Sequence, residues 1–65
     1  MDCIRIHIDP KNINYLNRIM EGYEYLGVVT TLNREEGLLM IRVTPDTCTE
    51  VKKILANLPI HYDFV

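Results

Sequence analysis

From Ile4 to Leu32 the chain reads IRIHIDPKNINYLNRIMEGYEYLGVVTTL, and its hydrophobic period changes twice within that stretch. Ile4, Ile6 and Ile8 alternate with Cys3, Arg5 and His7, the period of two that a strand with one buried face requires. Asp9-Pro10 then supplies a strong helix cap and a proline suited to the first helical position. Ile13, Leu16, Ile19, Met20 and Tyr23 follow at helical spacing, with Lys11, Asn14, Asn17, Arg18 and Glu21 on the opposite side. The pattern predicts a strand over Cys3 to Ile8 and a helix from about Pro10 to about Glu24. Gly27 then opens a second strand, Val28 to Leu32. This plan speaks to architecture far more than to chemistry.

The rest of the chain repeats the plan in shorter form. Asn33 to Gly37 reads as a hairpin loop, with Gly37 suited to a positive φ. Leu38 to Val43 is a third strand, nearly continuously apolar, as a central strand covered on both faces would be. Leu39, Ile41 and Val43 are expected to face the helices. Thr44-Pro45-Asp46 reads as a turn, and Thr47 to Glu50 as a capping box that starts a second helix. Val51, Ile54, Leu55 and Leu58 form its apolar stripe, and Pro59 stops it. A last strand alternates from Ile60 to Val65.

The order is βαββαβ. Two split β-α-β units with right-handed crossovers predict an α+β, ferredoxin-like two-layer sandwich. Its four-stranded antiparallel sheet has strand order 4-1-3-2, with both helices on one face and residues 1–65 in one domain. A domain this short buries only about 60% of the surface its unfolded chain exposes. Association with a second copy would add the missing burial.

The face of the sheet away from the helices is expected to carry Arg5, His7, Leu38, Met40, Arg42, His61 and Asp63, together with Cys3. A pairing of the first and last strands that sets His7 opposite His61 and Arg5 opposite Asp63 gives an opposite-charge pair. Leu38 and Met40 form an apolar spot among charges, the kind of patch that a homodimer or another protein covers. His7, His61 and Cys3 fall short of a metal centre, because no C-x-x-C or H-x-x-x-H spacing accompanies them. Cys48 stands near a helix start but has no base near it in sequence.

Composition narrows the function classes. Seven basic residues against nine acidic give a net charge of −2, which argues against general nucleic-acid binding. An RNA-binding sheet would show aromatics where this face has Cys3, Arg5, His7, Leu38 and Met40. A heavy-metal-associated domain would carry M-x-C-x-x-C, and an acylphosphatase a glycine-rich phosphate loop, where this chain has Ile8-Asp9-Pro10-Lys11-Asn12. No nucleophile–base pair, carboxylate dyad or cofactor fingerprint stands out, so neither an enzyme nor a cofactor is expected. A composite dimer site using His7, His61 and Asp63 is the one catalytic arrangement the residues allow. No signal peptide or membrane-spanning stretch is visible, and two cysteines make no disulfide framework. The expected setting is cytoplasmic, with reduced thiols and no membrane partner.

Ile8-Asp9-Pro10, Met20-Glu21-Gly22-Tyr23-Glu24 and Val29-Thr30-Thr31-Leu32 resemble the ACT domain, and more closely a group of short bacterial ACT-like proteins of unknown function. The resemblance spans nearly the whole chain. It implies a small regulatory module that works as a homodimer and binds an amino acid or related effector. The site it implies lies at Asp9, Lys11 and Asn12, with Tyr23 or Tyr25 nearby. Lys11-Asn12 stand where the ACT pattern usually has a glycine. The alternative is a stand-alone interaction protein that presents an edge strand or the Leu38/Met40 patch.

Overall fold

The computed structural model describes the backbone of residues 2–65 and the side chains of residues 3–65. Its elements are β1 (Asp2–Ile8), a 3-10 turn (Pro10–Asn12), α1 (Ile13–Glu21), β2 (Gly27–Asn33), β3 (Leu38–Val43), α2 (Pro45–Asn57) and β4 (Tyr62–Phe64). The sheet is four-stranded with order β2-β3-β1-β4 and every neighbour antiparallel. Read from the other edge this is 4-1-3-2, the ferredoxin-like α+β order that the period changes predict.

The core lies between the helices and one face of the sheet. Ile4, Ile6 and Ile8 from β1 and Leu39, Ile41 and Val43 from β3 supply the sheet side. Ile13, Leu16 and Met20 from α1 and Val51 and Leu55 from α2 supply the other. All eleven are buried and apolar. Both central strands thus commit one face, every second residue, to the helices.

Four boundaries differ from the sequence reading, each for a local reason. The helix after Asp9 starts as a 3-10 turn and ends at Glu21, because Gly22 caps it and Tyr23 N–H turns back to the Met20 carbonyl. Tyr23 therefore leaves the apolar stripe and is 38% exposed. The second helix begins at Pro45, earlier than Thr47. Thr44 is its cap, and Thr44 N–H donates to Thr47 Oγ1 at 3.0 Å. Glu50, expected to reach back to Thr47, instead lies 3.8 Å from Lys53 Nζ. The proline at the first helical position outweighs the Thr47/Glu50 pattern.

The last strand is only Tyr62–Phe64, shorter than Ile60–Val65. Its register also differs: His7 pairs with Asp63 and not with His61, while Val65 N–H reaches the Arg5 carbonyl at 3.0 Å. The slip is two residues, so every side chain keeps its face.

The β2–β3 hairpin closes on β1. Gly37 has φ +74°, the left-handed region that favours glycine. Its carbonyl accepts from Ile8 N–H at 2.9 Å. A Cβ at this position would lie 1.8 Å from the Ile8 carbonyl oxygen, so only glycine permits the approach. Arg34 ties the same loop to α1 through Asn14 Oδ1, at 3.1 Å.

Candidate functional site

The β3–β1 and β2–β3 registers assemble an open face row by row. One row holds Val28, Arg42 and Cys3, the next Thr30, Met40 and Arg5. A third holds Leu38, His7 and Asp63. Leu32 falls on this face by alternation with Val28 and Thr30, at a bulge between Thr31 and Asn33. Among the described residues, no helix covers the face. β3 is therefore covered on one side only: Leu38 and Met40 stay half-buried and Arg42 is exposed.

The face is divided by chemistry. Its β2–β3 half is apolar, with Val28 60% and Leu32 45% exposed beside Leu38 and Met40. A basic line follows, formed by Arg42, Arg5 and His7. Asp63 stands beyond it on β4, and His61 Nε2 lies 3.4 Å from its Oδ2. Among the described side chains, neither Arg5 nor Arg42 has a carboxylate within ion-pair distance.

The expected array of Arg5, His7, Leu38, Met40, Arg42 and Asp63 is thus brought together. His61 lies just before β4 and joins through Asp63 alone. The expected Arg5–Asp63 pair is not formed, because Arg5 lines up with Val65. Cys3 sits four positions along β1 from His7, roughly 13 Å away, so the two do not converge. Among the described residues, no group of three or more His, Cys, Asp or Glu side chains is placed to hold a metal ion. Val28, Thr30 and Leu32 were missed as face residues. The run from Val28 to Leu32 has like residues on both sides, so it held no signal of which side is covered.

At the β1–α1 corner, Asp9 Oδ1 accepts from Lys11 N–H at 3.1 Å, and its other oxygen lies 3.8 Å from Lys11 Nζ. The carboxylate is occupied as the helix cap. The hairpin loop presses on the same corner through Gly37. Tyr23 and Tyr25 lie in the turn after α1.

Open grooves indent the surface of the described residues, and Asp9, Lys11 and Asn12 line none of the three best formed. One, of about 290 Å³, lies between the end of α1 and β2, with Asn17, Glu21 and Glu24 on its walls. Another, of about 320 Å³, follows the turn at Tyr25 to Arg42 and Thr44. The third, of about 410 Å³, runs beside β1 past the end of β4, between Cys3 and Cys48, with Arg5 and Lys52 alongside. Cys48 is half-buried against the core and Cys3 is exposed.

β2 forms one edge of the sheet, and among the described residues no strand pairs with its outer side. From Gly27 to Leu32 it carries no charge and no proline. Backbone groups alternate in direction along a strand. Val65 N–H bonds the Arg5 carbonyl, so odd-numbered residues of β1 point toward β4 and even-numbered ones toward β3. Carried across the registers, this points Val28 and Thr30 toward β3 and leaves Val29 and Thr31 pointing outward.

No curated protein and no solved structure matches the chain. A domain family of unknown function, DUF4911, matches residues 6–61, and nothing in that match links it to ACT domains. It takes in both helices, β2, β3, the last three residues of β1, and His7 and Arg42 of the open face but not Arg5. The chain belongs to the DUF4911 family.

Proposed function

We propose that this chain is a non-catalytic binding module that works as a homodimer, two copies joining along β2. The observation that carries the reading is the uncovered edge of β2, with outward backbone groups at Val29 and Thr31 and no charge to guard it. Natural edge strands are blunted by lysine, proline or brevity, and this one has none of these between Gly27 and Leu32. Two copies of β2 related by a twofold axis at Thr30 set Val29 opposite the partner's Thr31. Each such pair exchanges two N–H···O=C bonds. On the open face the same register sets Val28 beside the partner's Leu32, and both are exposed in the single chain. The sheet then has eight strands, with all helices on one side.

The mass in solution tests this. Sedimentation equilibrium at tens of micromolar is expected to give two chains of 7.6 kDa each. Thr31→Pro removes an outward N–H while sparing the ladder to β3, and Thr31→Lys places a charge on the edge. Both are expected to give a single-chain mass with an unchanged circular dichroism spectrum. A single-chain mass for the parent protein, or a two-chain mass for both variants, would overturn the proposal.

A further inference from the structure

We propose that the open face of the sheet is the docking surface for an acidic amphipathic α-helix of a partner protein. Shape supplies the first argument. The apolar half runs along the strands from Val28 to Leu32, four residues or roughly 13 Å. Side chains at positions i, i+4 and i+8 of a helix span about 12 Å. A helix laid along β2 and β3 therefore puts three apolar side chains onto Val28, Leu32, Leu38 and Met40. Its body is about 10–12 Å wide, enough to reach from β2 to β1.

Charge supplies the second. Arg42, Arg5 and His7 form a line beside the apolar column, and among the described side chains Asp63 is the one carboxylate opposite that line. The chain as a whole has net charge −2, so the face runs against the balance of the molecule. The two arginines have no carboxylate partner among the described side chains. A helix with Asp or Glu on one flank of its apolar stripe supplies them, and guanidinium–carboxylate pairing fixes its orientation.

Other occupants fit less well. A second copy laid face to face brings two basic lines together with too few carboxylates to balance them. An extended strand needs free backbone groups, and this face presents side chains. An anionic bilayer needs apolar side chains that insert together, and of the four here Leu38 and Met40 are half-buried. The dimer proposed above leaves this face uncovered, so docking does not depend on it.

The test is selection from a library of helix-stabilised peptides about 15 residues long, randomised on one side. It is run on the immobilised full chain and on Thr31→Pro. Enrichment, by either protein, of apolar residues at helical spacing with Asp or Glu on one flank supports the proposal. An enriched peptide is then expected to shift the amide resonances of Val28, Met40 and Arg5 and not those of α2. It is expected to lose at least about tenfold in affinity to the double variant Arg5→Glu, Arg42→Glu, while Lys-flanked versions gain. Both arginines are exposed, so folding is expected to survive the exchange. No enrichment by either protein, enrichment of basic or proline-rich peptides, or equal affinity for the double variant would overturn the proposal. So would binding to phosphatidylserine vesicles that the double variant abolishes.

Discussion

Gly37→Ala is expected to cost this domain a large share of its stability, and the structure gives the size. Gly37 is buried and holds φ +74°, where an L-residue pays roughly 1–2 kcal/mol. The added Cβ meets the Ile8 carbonyl oxygen at 1.8 Å, so the loop must move away from β1. That movement breaks the 2.9 Å bond from Ile8 N–H to the Gly37 carbonyl, worth about 0.5–1.5 kcal/mol. The total is about 1.5–3.5 kcal/mol. A domain of 65 residues has about 3–10 kcal/mol in all, at the usual stability per residue. Thermal unfolding followed by circular dichroism should show Tm lowered by about 6–28 °C. Gly22→Ala is the control. Gly22 has helical φ −71° and is exposed, and the nearest atom to its added Cβ is an oxygen 3.4 Å away. It should gain about 0.4–1 kcal/mol by restricting the unfolded chain. A Gly37→Ala loss below about 1 kcal/mol, or the same sign for both variants, would refute the hairpin's approach to β1 and the reasoning built on it.

Two further outcomes test helix starts. Thr47→Ala should lower stability by about 1 kcal/mol in urea unfolding, because Thr44 N–H loses its acceptor, while Glu50→Ala should change it by less than about 0.5 kcal/mol. A loss for Glu50→Ala as large as that for Thr47→Ala would restore the Thr47/Glu50 capping box. Asp9→Ala should cost about 1 kcal/mol and Asp9→Asn almost nothing, since asparagine caps equally well. A matching loss for both variants would point to the carboxylate itself, and so to a role beyond capping.

Periodicity carried most of the architecture. The isoleucines of β1 and the alternate residues of β3 declare one buried face each, and the breaks at Asp9-Pro10, Gly27 and Gly37 fix the element order. What the pattern could not resolve were features that leave it unchanged. A slip of two residues between β1 and β4 keeps every side chain on its face, so His7 opposite His61 and His7 opposite Asp63 look alike in sequence. At α2 two start signals compete three residues apart, and only the backbone shows that Pro45 takes the first position. Tyr23 keeps helical spacing after the helix has ended, because spacing carries no record of the turn at Gly22. For the site, Arg5, His7, Leu38, Met40 and Arg42 were legible as one face. The contribution of β2 was not, because a short run of Val, Thr and Leu reads as strand without saying which side is covered. At Asp9 a residue type shared by caps and ligand sites proves to be occupied as a cap.

β4 is the shortest strand, and it meets its partner only at Ile6, His7 and Ile8. It joins the two ends of the chain. Closing so long a loop carries the largest entropic cost of any pairing in the sheet, and only three residue pairs offset it. The β2–β3 hairpin is local and forms without that cost. Folding therefore finishes with β4, and opening begins there. Its amides exchange with solvent through a local event that leaves the β1–β3 ladder closed. Each opening strips the outer side of β1 of its pairing from Ile6 to Ile8, and the tether that keeps β4 close restores it.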